Sequence, residues 1–259
     1  MADTSQGTGG LTFDHSKRSW PNELNILLAL IIIIAIFELV GQTFPYMNGQ
    51  SFLFDTNDRF DTIFNEARLQ IIILQVAIIG IIALGVTQVI ITGGIDLSSG
   101  PLVAATAMVA MSFAQTELVN GNPNPKALFG VWAMDLPVVI PIVVGLTFGA
   151  FIGAINGTFI AYFRIPPFIA TLGMFLICRG IALLWSNGQP VSFPTESFKF
   201  LGSGMMPVVW FLALAAVFHI ILRFTVYGKH TYAIGSNEVA ARMSGINVRR
   251  HKVMVYMIA

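Results

Sequence analysis

The feature that most constrains the fold is a series of long apolar stretches separated by polar connections. A helix needs about 20 apolar residues to cross the hydrocarbon core of a bilayer. Six stretches reach or approach that length: Leu24–Phe44, Leu69–Ile91, Pro101–Gln115, Leu136–Phe163, Phe168–Trp185 and Met206–Phe224. Together with a seventh stretch that starts at Val253, they predict an all-α fold, a polytopic integral membrane bundle with about six or seven spans.

The composition supports a bilayer as the solvent. Only 10% of the residues are charged and the mean hydropathy is +0.76, whereas a soluble domain carries about 25% charged residues. The net charge of +1 gives no reason to expect a nucleic-acid partner. Cys178 is the single cysteine, so no disulfide can form within these 259 residues, and it lies in an apolar run.

The two ends of the sequence carry separate expectations. Residues 1–23 are polar and rich in small residues, which predicts a disordered cytosolic tail before a transmembrane domain over residues 24–259. We expect an uncleaved first span, because the first apolar stretch is long, lacks a small-x-small cleavage pattern and is followed by others. The stretch from Val253 reaches only Ala259, so we expect a fragment of a longer protein with further spans.

The distribution of Lys and Arg predicts the orientation, because short cytoplasmic loops carry an excess of them. With the N-terminus in the cytoplasm, four basic residues lie outside and nine lie inside. The nine are Lys17, Arg18, Arg164, Arg223, Lys229, Arg242, Arg249, Arg250 and Lys252. We therefore expect a multi-pass protein with a cytoplasmic N-terminus and a cytoplasmic loop over residues 225–252.

That loop contains a polar stretch, SNEVAARMSGINVRRHK, with the signs of a short helix. Asn237 is a favourable N-cap, since its side chain can accept hydrogen bonds from free amides of the first turn. Glu238 follows at the positive end of the helix dipole, and Gly245 suits a left-handed C-terminal cap. The pattern predicts about two helical turns from Asn237 to Gly245.

A helix this short is marginal in water and needs a surface to pack on. Val239 and Met243 lie on one face, with Ile246 just beyond, while Arg242 points elsewhere. Two interpretations stay open from the pattern alone. The helix is either a connector that lies on lipid headgroups or a docking helix for a cytosolic partner.

The motif GGIDLSSG, at Gly93–Gly100, interrupts the apolar pattern between the second and third stretches. Asp96, Ser98 and Ser99 are capping residues, and Pro101 fits the first turn of the next helix. One interpretation is a tight turn between two spans. The other is a broken helix whose backbone faces a translocation pathway, with Asp96 and Ser98 beside it.

Glycine recurs at every fourth position in the fourth stretch, at Gly145, Gly149, Gly153 and Gly157. Such a stripe lets helix backbones approach closely in lipid, so we predict a packing role. The neighbouring Asn156 is a candidate for a hydrogen bond between helices or for the translocation pathway.

The fifth stretch begins with IPPFIATLGMFLICRG. Pro166 and Pro167 end one helix, and Thr171 allows close contacts in the next. Arg179 lies about three turns into the span, where an unpaired charge is costly. It can reach toward the membrane surface, pair with a carboxylate such as Glu38, or line the pathway. Thr171 and Arg179 complete our set of pathway candidates.

Signs of covalent chemistry are absent from the sequence. His15, His219, His230 and His251 lack metal-ligand spacing, so we predict no metal site. There is no HExxH pattern, no convincing Ser/His/Asp order and no GxxxxGK[ST] loop for nucleotide phosphates. We therefore predict no catalytic residues and no cofactor bound by this chain.

Three stretches resemble the permease subunits of bacterial ABC importers, in the branch that takes up ribose, xylose, arabinose and galactose. They are ALGVTQVIITGGIDLSSGPLVAATA, NGTFIAYFRIPPFIATLGMFLICRGIALL and YGKHTYAIGSNEVAARMSGINVRRHKVMVY. They occur in the family's order, and the resemblance covers roughly residues 70–259. It implies about ten spans in a full-length member and a place in the bacterial cytoplasmic membrane.

The resemblance also implies partners. The family's cytoplasmic loop holds a coupling helix that sits in a cleft of a separate ATP-binding subunit, and a soluble binding protein delivers the substrate. It implies a second permease copy as well, with membrane lipid around the pair. The coupling residues that it implies, together with the helix ends above, are Asn237, Glu238, Ala240, Ala241, Arg242 and Gly245.

Other functions stay open at this point. The same machinery could carry inositol, a furanone or another small solute. A secondary carrier would need intramembrane carboxylates, and only Asp96 and Glu38 come near that requirement. An intramembrane enzyme would need a convergent set of catalytic groups within the spans, which the sequence does not offer.

Overall fold

The computed structural model describes residues 22–43 and 66–259. The predicted tail lies outside the described residues, except that Asn22 and Glu23 already belong to the first helix. The described residues form ten α-helices: α1 Asn22–Thr43, α2 Glu66–Ile91, α3 Ser99–Ser112, α4 Val139–Ala161, α5 Pro167–Trp185, α6 Glu196–Gly202, α7 Met206–Phe224, α8 Val226–Ser236, α9 Glu238–Met243 and α10 Val248–Ile258.

The predicted spans correspond to helices. Among the described residues, α2, α4, α5 and α7 are long and apolar enough to cross a membrane, and shorter apolar helices occupy Leu24–Val40 and Ser99–Ser112. The seventh predicted stretch corresponds to α10. This helix begins at Val248 rather than at the predicted Val253. It begins earlier because the Asn247 side chain accepts a hydrogen bond from the Arg250 amide, at 3.1 Å, and so caps it. The chain is a multi-pass helical membrane protein.

Contacts within the chain separate a unit at Met1–Ile71 from a larger unit at Ile72–Ala259. In the larger unit, α3 packs between α4 and α5, and α10 packs along α4. One core cluster joins Ala105, Ile152, Met174 and Cys178. Most other apolar side chains of these helices face outward, as expected for helices surrounded by lipid or by other subunits.

The glycine stripe on α4 divides into two parts. A Cβ atom on Gly153 would overlap the carbonyl oxygen of Tyr256, and one on Gly157 would come within 2.7 Å of the Val253 Cα atom. The two glycines nearer the start of α4 face α3 with more room. A Cβ atom there would meet only side-chain atoms, at 3.1 Å for Gly145 and 3.6 Å for Gly149. Along this stripe, the backbones therefore approach most closely between α4 and α10.

Two loops pair at the end of the bundle where α3 ends and α4 begins. We call them the paired loops, residues 113–135 and 186–195. The first contains a hairpin, β1 Leu118–Val119 and β2 Asn122–Pro123, that turns through left-handed backbone at Asn120 and Gly121. Asn-Gly suits this turn because both residues accept positive φ. The sequence NGNPNP, residues 120–125, thus contains the two-residue turn of a β-hairpin and its second strand.

Gln115 holds the paired loops together. Its side chain is fully buried and makes three hydrogen bonds to backbone groups. Nε2 donates to the Lys126 oxygen at 2.8 Å and to the Ser192 oxygen at 3.0 Å, and Oε1 accepts from the Leu128 amide at 3.0 Å. The backbone adds hydrogen bonds between the loops, such as Thr116 N to Phe193 O at 2.9 Å.

Candidate functional site

We call residues 225–252, which contain α8, α9 and the start of α10, the polar segment. The predicted caps of α9 are confirmed. The Asn237 side chain accepts from the Ala240 amide at 3.0 Å. At the other end Gly245 has φ +84°, its amide donates to Arg242 O, and the Ile246 amide donates to Ala241 O. This is a Schellman motif, which satisfies the last carbonyl groups of the helix.

The α9 helix has an inner and an outer face. Ala241 is buried and packs with Ile234 and Val248, so its small size serves packing within the chain. Ala240 is exposed. Val239 and Met243 are 72% and 84% exposed, respectively. The outer face of α9 therefore presents two exposed apolar side chains on a capped and anchored helix.

Ion pairs hold Glu238 within the polar segment. Its carboxylate accepts from Lys252 Nζ at 2.7 Å and from Arg242 Nη2 at 3.0 Å. The Lys252 hydrogen bond and the two positive charges hold the pKa of Glu238 below its usual value. Lys252 lies on α10, so this pair joins α9 to the helix that leads back to the bundle. The Glu238 carboxylate is about 41% exposed, so the pairs add little stability.

A set of polar side chains joins the polar segment to α2, and we call it the polar junction: Gln88, Tyr227, Thr231 and His251. All are buried except Tyr227, which is half-buried. The Tyr227 hydroxyl donates to Gln88 Oε1 at 2.5 Å. Thr231 Oγ1 lies 2.8 Å from His251 Nε2, and the Tyr227 and His251 rings are 4.8 Å apart. Burial raises the pKa of Tyr227 to about 12 and, with His230 nearby, lowers that of His251.

Sequence reasoning missed the polar junction. Gln88 lies 139 positions from its partner Tyr227, and no periodic pattern marks either residue. A glutamine near the end of an otherwise apolar stretch was the available signal, because such a side chain needs a buried partner. Gly235 also lets the polar segment approach α2 closely, since a Cβ atom there would overlap the Ile91 carbonyl oxygen at the end of α2.

The structure brings four of the five pathway candidates together beside the turn at residues 92–98. Ser98 Oγ donates to Asp96 Oδ1 at 2.6 Å, and Asn156 Nδ2 donates to Ser98 Oγ at 3.0 Å. Thr171 Oγ1 donates to Pro167 O at 2.8 Å, and it lies 3.4 Å from the Ile95 oxygen. Asn156 Oδ1 is buried without a hydrogen-bond partner among the described residues.

Two details of this turn differ from the predicted capping. Ser98 occupies the N-cap position of α3, but its side chain makes no capping hydrogen bond. Its backbone is in the right-handed helical region, at φ −82° and ψ −14°, rather than the extended region of an N-cap, and its hydroxyl oxygen accepts from Asn156 instead. The Asp96 carboxylate accepts from both the hydroxyl and the amide of Ser98, at 2.6 and 2.8 Å. Asp96 therefore shapes the turn before the helix, and α3 begins without a side-chain cap.

Arg179 lies apart from that cluster. It is exposed on α5, and it lines a cavity of about 580 Å³ between α3 and α5. The residues that line the cavity belong to α3, to α5 and to the turn that follows α5: Gly100, Pro101, Ala104, Met108, Phe175, Arg179, Ala182, Leu183, Ser186, Gly188, Gln189 and Pro190. Within residues 22–43 and 66–259, no group of three His, Cys, Asp or Glu side chains is placed to hold a metal ion.

Comparison with known proteins identifies the family. Residues 68–259 match the family described as branched-chain amino acid transport system / permease component. The chain belongs to this permease family. The ribose import permease protein of Escherichia coli is 32% identical over 252 residues, which cover 93% of this chain and 66% of that protein.

Two further relatives agree. The galactose/methyl galactoside import permease protein of Salmonella typhimurium is 32% identical over 253 residues, covering 93% of this chain and 68% of that protein. The ribose import permease protein of Bacillus subtilis is 36% identical over 193 residues, covering 71% of this chain and 54% of that protein. No solved structure matches the chain. The chain thus spans slightly less than two thirds of the length of the Escherichia coli ribose permease.

Proposed function

We propose that this chain belongs to the membrane-spanning subunit of an ATP-driven importer that moves a monosaccharide such as ribose or galactose across the bacterial cytoplasmic membrane. Its relatives named above are ribose and galactose import permeases. In this proposal the N-terminus and the polar segment are cytoplasmic, and the paired loops face outward. The chain performs no covalent chemistry and binds no cofactor.

In this proposal each partner binds a different surface of the chain. A separate ATP-binding subunit receives α9, and a soluble substrate-binding protein docks on the paired loops, where Trp132 is 71% exposed. A second permease copy and lipid cover the apolar faces of the helices. The turn at residues 92–98, with Asp96, Ser98, Asn156 and Thr171, borders the translocation pathway, because irregular backbone at membrane depth is tolerated beside a cavity.

The observation that carries the proposal is the geometry of α9. The helix is too short to be stable alone, yet it is capped at both ends and anchored through Ala241. Its free face presents Val239 and Met243. The ion pairs to Lys252 and the polar junction connect it to α10 and α2, so movement of a docked partner reaches the bundle.

Copurification from native membranes in mild detergent tests this assignment. The full-length protein should bring an ATP-binding subunit with it in stoichiometric amount. Changing Met243 to Gln should reduce that yield at least tenfold, because an exposed interface side chain is lost. Met205→Gln is the matched control, since Met205 is also exposed but lies between α6 and α7. If no ATPase copurifies with the unmodified protein, a stand-alone carrier becomes the better assignment.

A further inference from the structure

We propose that the cavity around Arg179, which we call the arginine cavity, is a transient binding site for a neutral polyhydroxylated solute on its way through the membrane. This inference rests on the proposed transport function and adds the residues that recognise the cargo. The site does not include the turn at residues 92–98. Its lining comes from α3, from α5 and from the turn that follows α5, and its polar groups come from α5 and that turn.

The first argument is the cost of the charge. Arg179 lies within a span, about 9 Å along the helix from Trp185. A guanidinium group at that depth is costly against lipid, and such residues usually face a bundle interior or a water-filled cavity. Within the described residues no hydrogen bond or ion pair joins Arg179 to another side chain, and the group opens into the arginine cavity. Its donors are therefore available to a solute.

The second argument is the size and shape of the space. The arginine cavity measures about 580 Å³, within the range of about 300–1,000 Å³ that small-molecule sites occupy. Its floor is made of small residues on α3, Gly100, Pro101 and Ala104. Its upper edge is the turn at Asn187 and Gly188, where both residues have left-handed backbone.

The third argument is the chemistry of the lining. Phe175 stands one turn before Arg179, on the same face of α5, and it offers an aromatic ring to the apolar face of a sugar. The guanidinium carries five N–H donors, and Gln189 adds both a donor and an acceptor. An aromatic face beside planar donors suits a molecule with alternating hydroxyl groups and C–H faces.

The same lining argues against an amino acid as cargo. Arg179 would pair with the carboxylate of an amino acid, but the ammonium group would then need an acidic partner. Among the described residues that line the arginine cavity, none is an aspartate or a glutamate. A neutral polyol brings no ammonium group that needs an acidic partner, and its hydroxyl groups can accept from the guanidinium, so the lining favours it over a zwitterion.

Uptake of radiolabelled ribose, galactose and leucine by cells that carry the full-length protein with its native partners tests the inference. Arg179→Gln should lower uptake of the sugar that the unmodified protein transports by about tenfold or more, since charge-assisted hydrogen bonds are lost. Uptake by Arg179→Lys, which keeps the charge but loses the planar guanidinium, should lie between that of Arg179→Gln and that of the unmodified protein. Phe175→Leu should raise the half-saturating concentration about threefold, since it removes the ring but keeps the apolar volume.

Two controls separate binding from folding. Arg223→Gln removes an arginine from the end of α7 and should leave uptake unchanged. Copurification of the ATP-binding subunit and of a second, differently tagged copy should be the same for Arg179→Gln as for the unmodified protein. Loss of either partner would show that Arg179 supports assembly, which would overturn the inference.

The remaining outcomes distinguish this inference from the proposed function. Normal sugar uptake by Arg179→Gln would overturn the binding site and leave the importer assignment in place. Uptake of leucine rather than sugar, lost in Arg179→Gln, would overturn the choice of a neutral solute. If the unmodified protein takes up neither sugar nor leucine, the proposed function itself fails.

Discussion

Two buried glutamines hold the polar regions at opposite ends of the bundle, and they do so differently. Gln115, in the paired loops, uses all of its hydrogen-bonding groups on backbone partners from two loops. Gln88, in the polar junction, accepts one hydrogen bond from Tyr227, and its Nε2 atom is buried without a partner among the described residues. Within the part of the chain that the structure describes, the oxygen and the nitrogen of the Gln115 side chain both have hydrogen-bond partners, whereas for Gln88 only the oxygen has one.

The difference matters because hydrogen bonds to backbone fix a loop in one arrangement, whereas an unsatisfied side chain can gain bonds when its surroundings move. The paired loops are therefore built as a fixed platform. The polar junction, together with the close α4–α10 contact, joins the polar segment to the bundle and leaves room for rearrangement. The proposed transport cycle, in which a partner acts through α9, uses this asymmetry.

Removing the Gln115 amide should produce the largest effect, because it breaks three hydrogen bonds of a fully buried side chain and leaves two carbonyl groups and one amide, all part-buried, without that partner. We expect Gln115→Leu to destabilise the protein by about 3–5 kcal/mol. The midpoint of thermal unfolding in detergent micelles measures it. Gln70→Leu, at an exposed position of α2, is the control. A loss below about 1 kcal/mol for Gln115→Leu would remove the contrast between the two ends.

The α4–α10 contact should be the next most sensitive. Gly153→Ala places a Cβ atom against the Tyr256 backbone, so α10 must shift, at a cost of about 1–3 kcal/mol. Gly149→Ala is the matched control, since its Cβ atom meets only Thr106 Oγ1 at 3.6 Å. Thermal unfolding measures both. Equal stability of the two variants would show that the structure tolerates a Cβ atom at position 153 as well as at position 149.

The C-cap of α9 should be sensitive in function more than in folding. Gly245→Val forces a β-branched residue to φ +84°, a strain of about 1–2 kcal/mol confined to the polar segment. We expect normal membrane insertion with impaired stimulation of the partner ATPase, measured in reconstituted vesicles. Gly202→Val, at an exposed position with ordinary φ and open space, should behave like the unmodified protein. Normal transport by Gly245→Val would contradict the capping argument.

Protonation of the polar junction should have the smallest effect. The pKa of His251 is lowered in the folded protein by burial and by His230, so the folded state binds fewer protons than the unfolded state. Stability from this group is therefore present above a pH of about 6.5 and is lost as the pH falls further. Thermal unfolding between pH 8 and pH 5.5 should show a smaller decline for His251→Gln. A decline of the same size in the unmodified protein and in His251→Gln would show that groups other than His251 cause it.

Local patterns in the sequence predicted much of the structure. The apolar stretches predicted the helices, and Asn237 and Gly245 predicted the two ends of α9, because spans and caps depend on neighbouring residues. The Gln88–Tyr227 and Gln115–Ser192 contacts could not be predicted in the same way. Their partners lie 139 and 77 positions away, and only the folded chain brings them together.

The side chains of a short helix show the same limit. The family resemblance implied that Ala240 and Ala241 both serve the coupling to a partner. In the structure they face opposite ways, with Ala241 buried and Ala240 exposed. The reason is that α9 is anchored by the packing of Ile234 and Val248, a contact between three elements that local spacing does not describe.

The most direct test of the central claim is photo-crosslinking from α9 in intact cells. A photoreactive amino acid at position 243 of the full-length protein should form one major adduct, with an ATP-binding subunit, and the same probe at position 205 should not. ATP analogues should change its yield, because the docked motor moves. An adduct with lipid alone at position 243, under conditions where the partner subunit is expressed, would show that α9 is a headgroup-bound connector and would contradict the account.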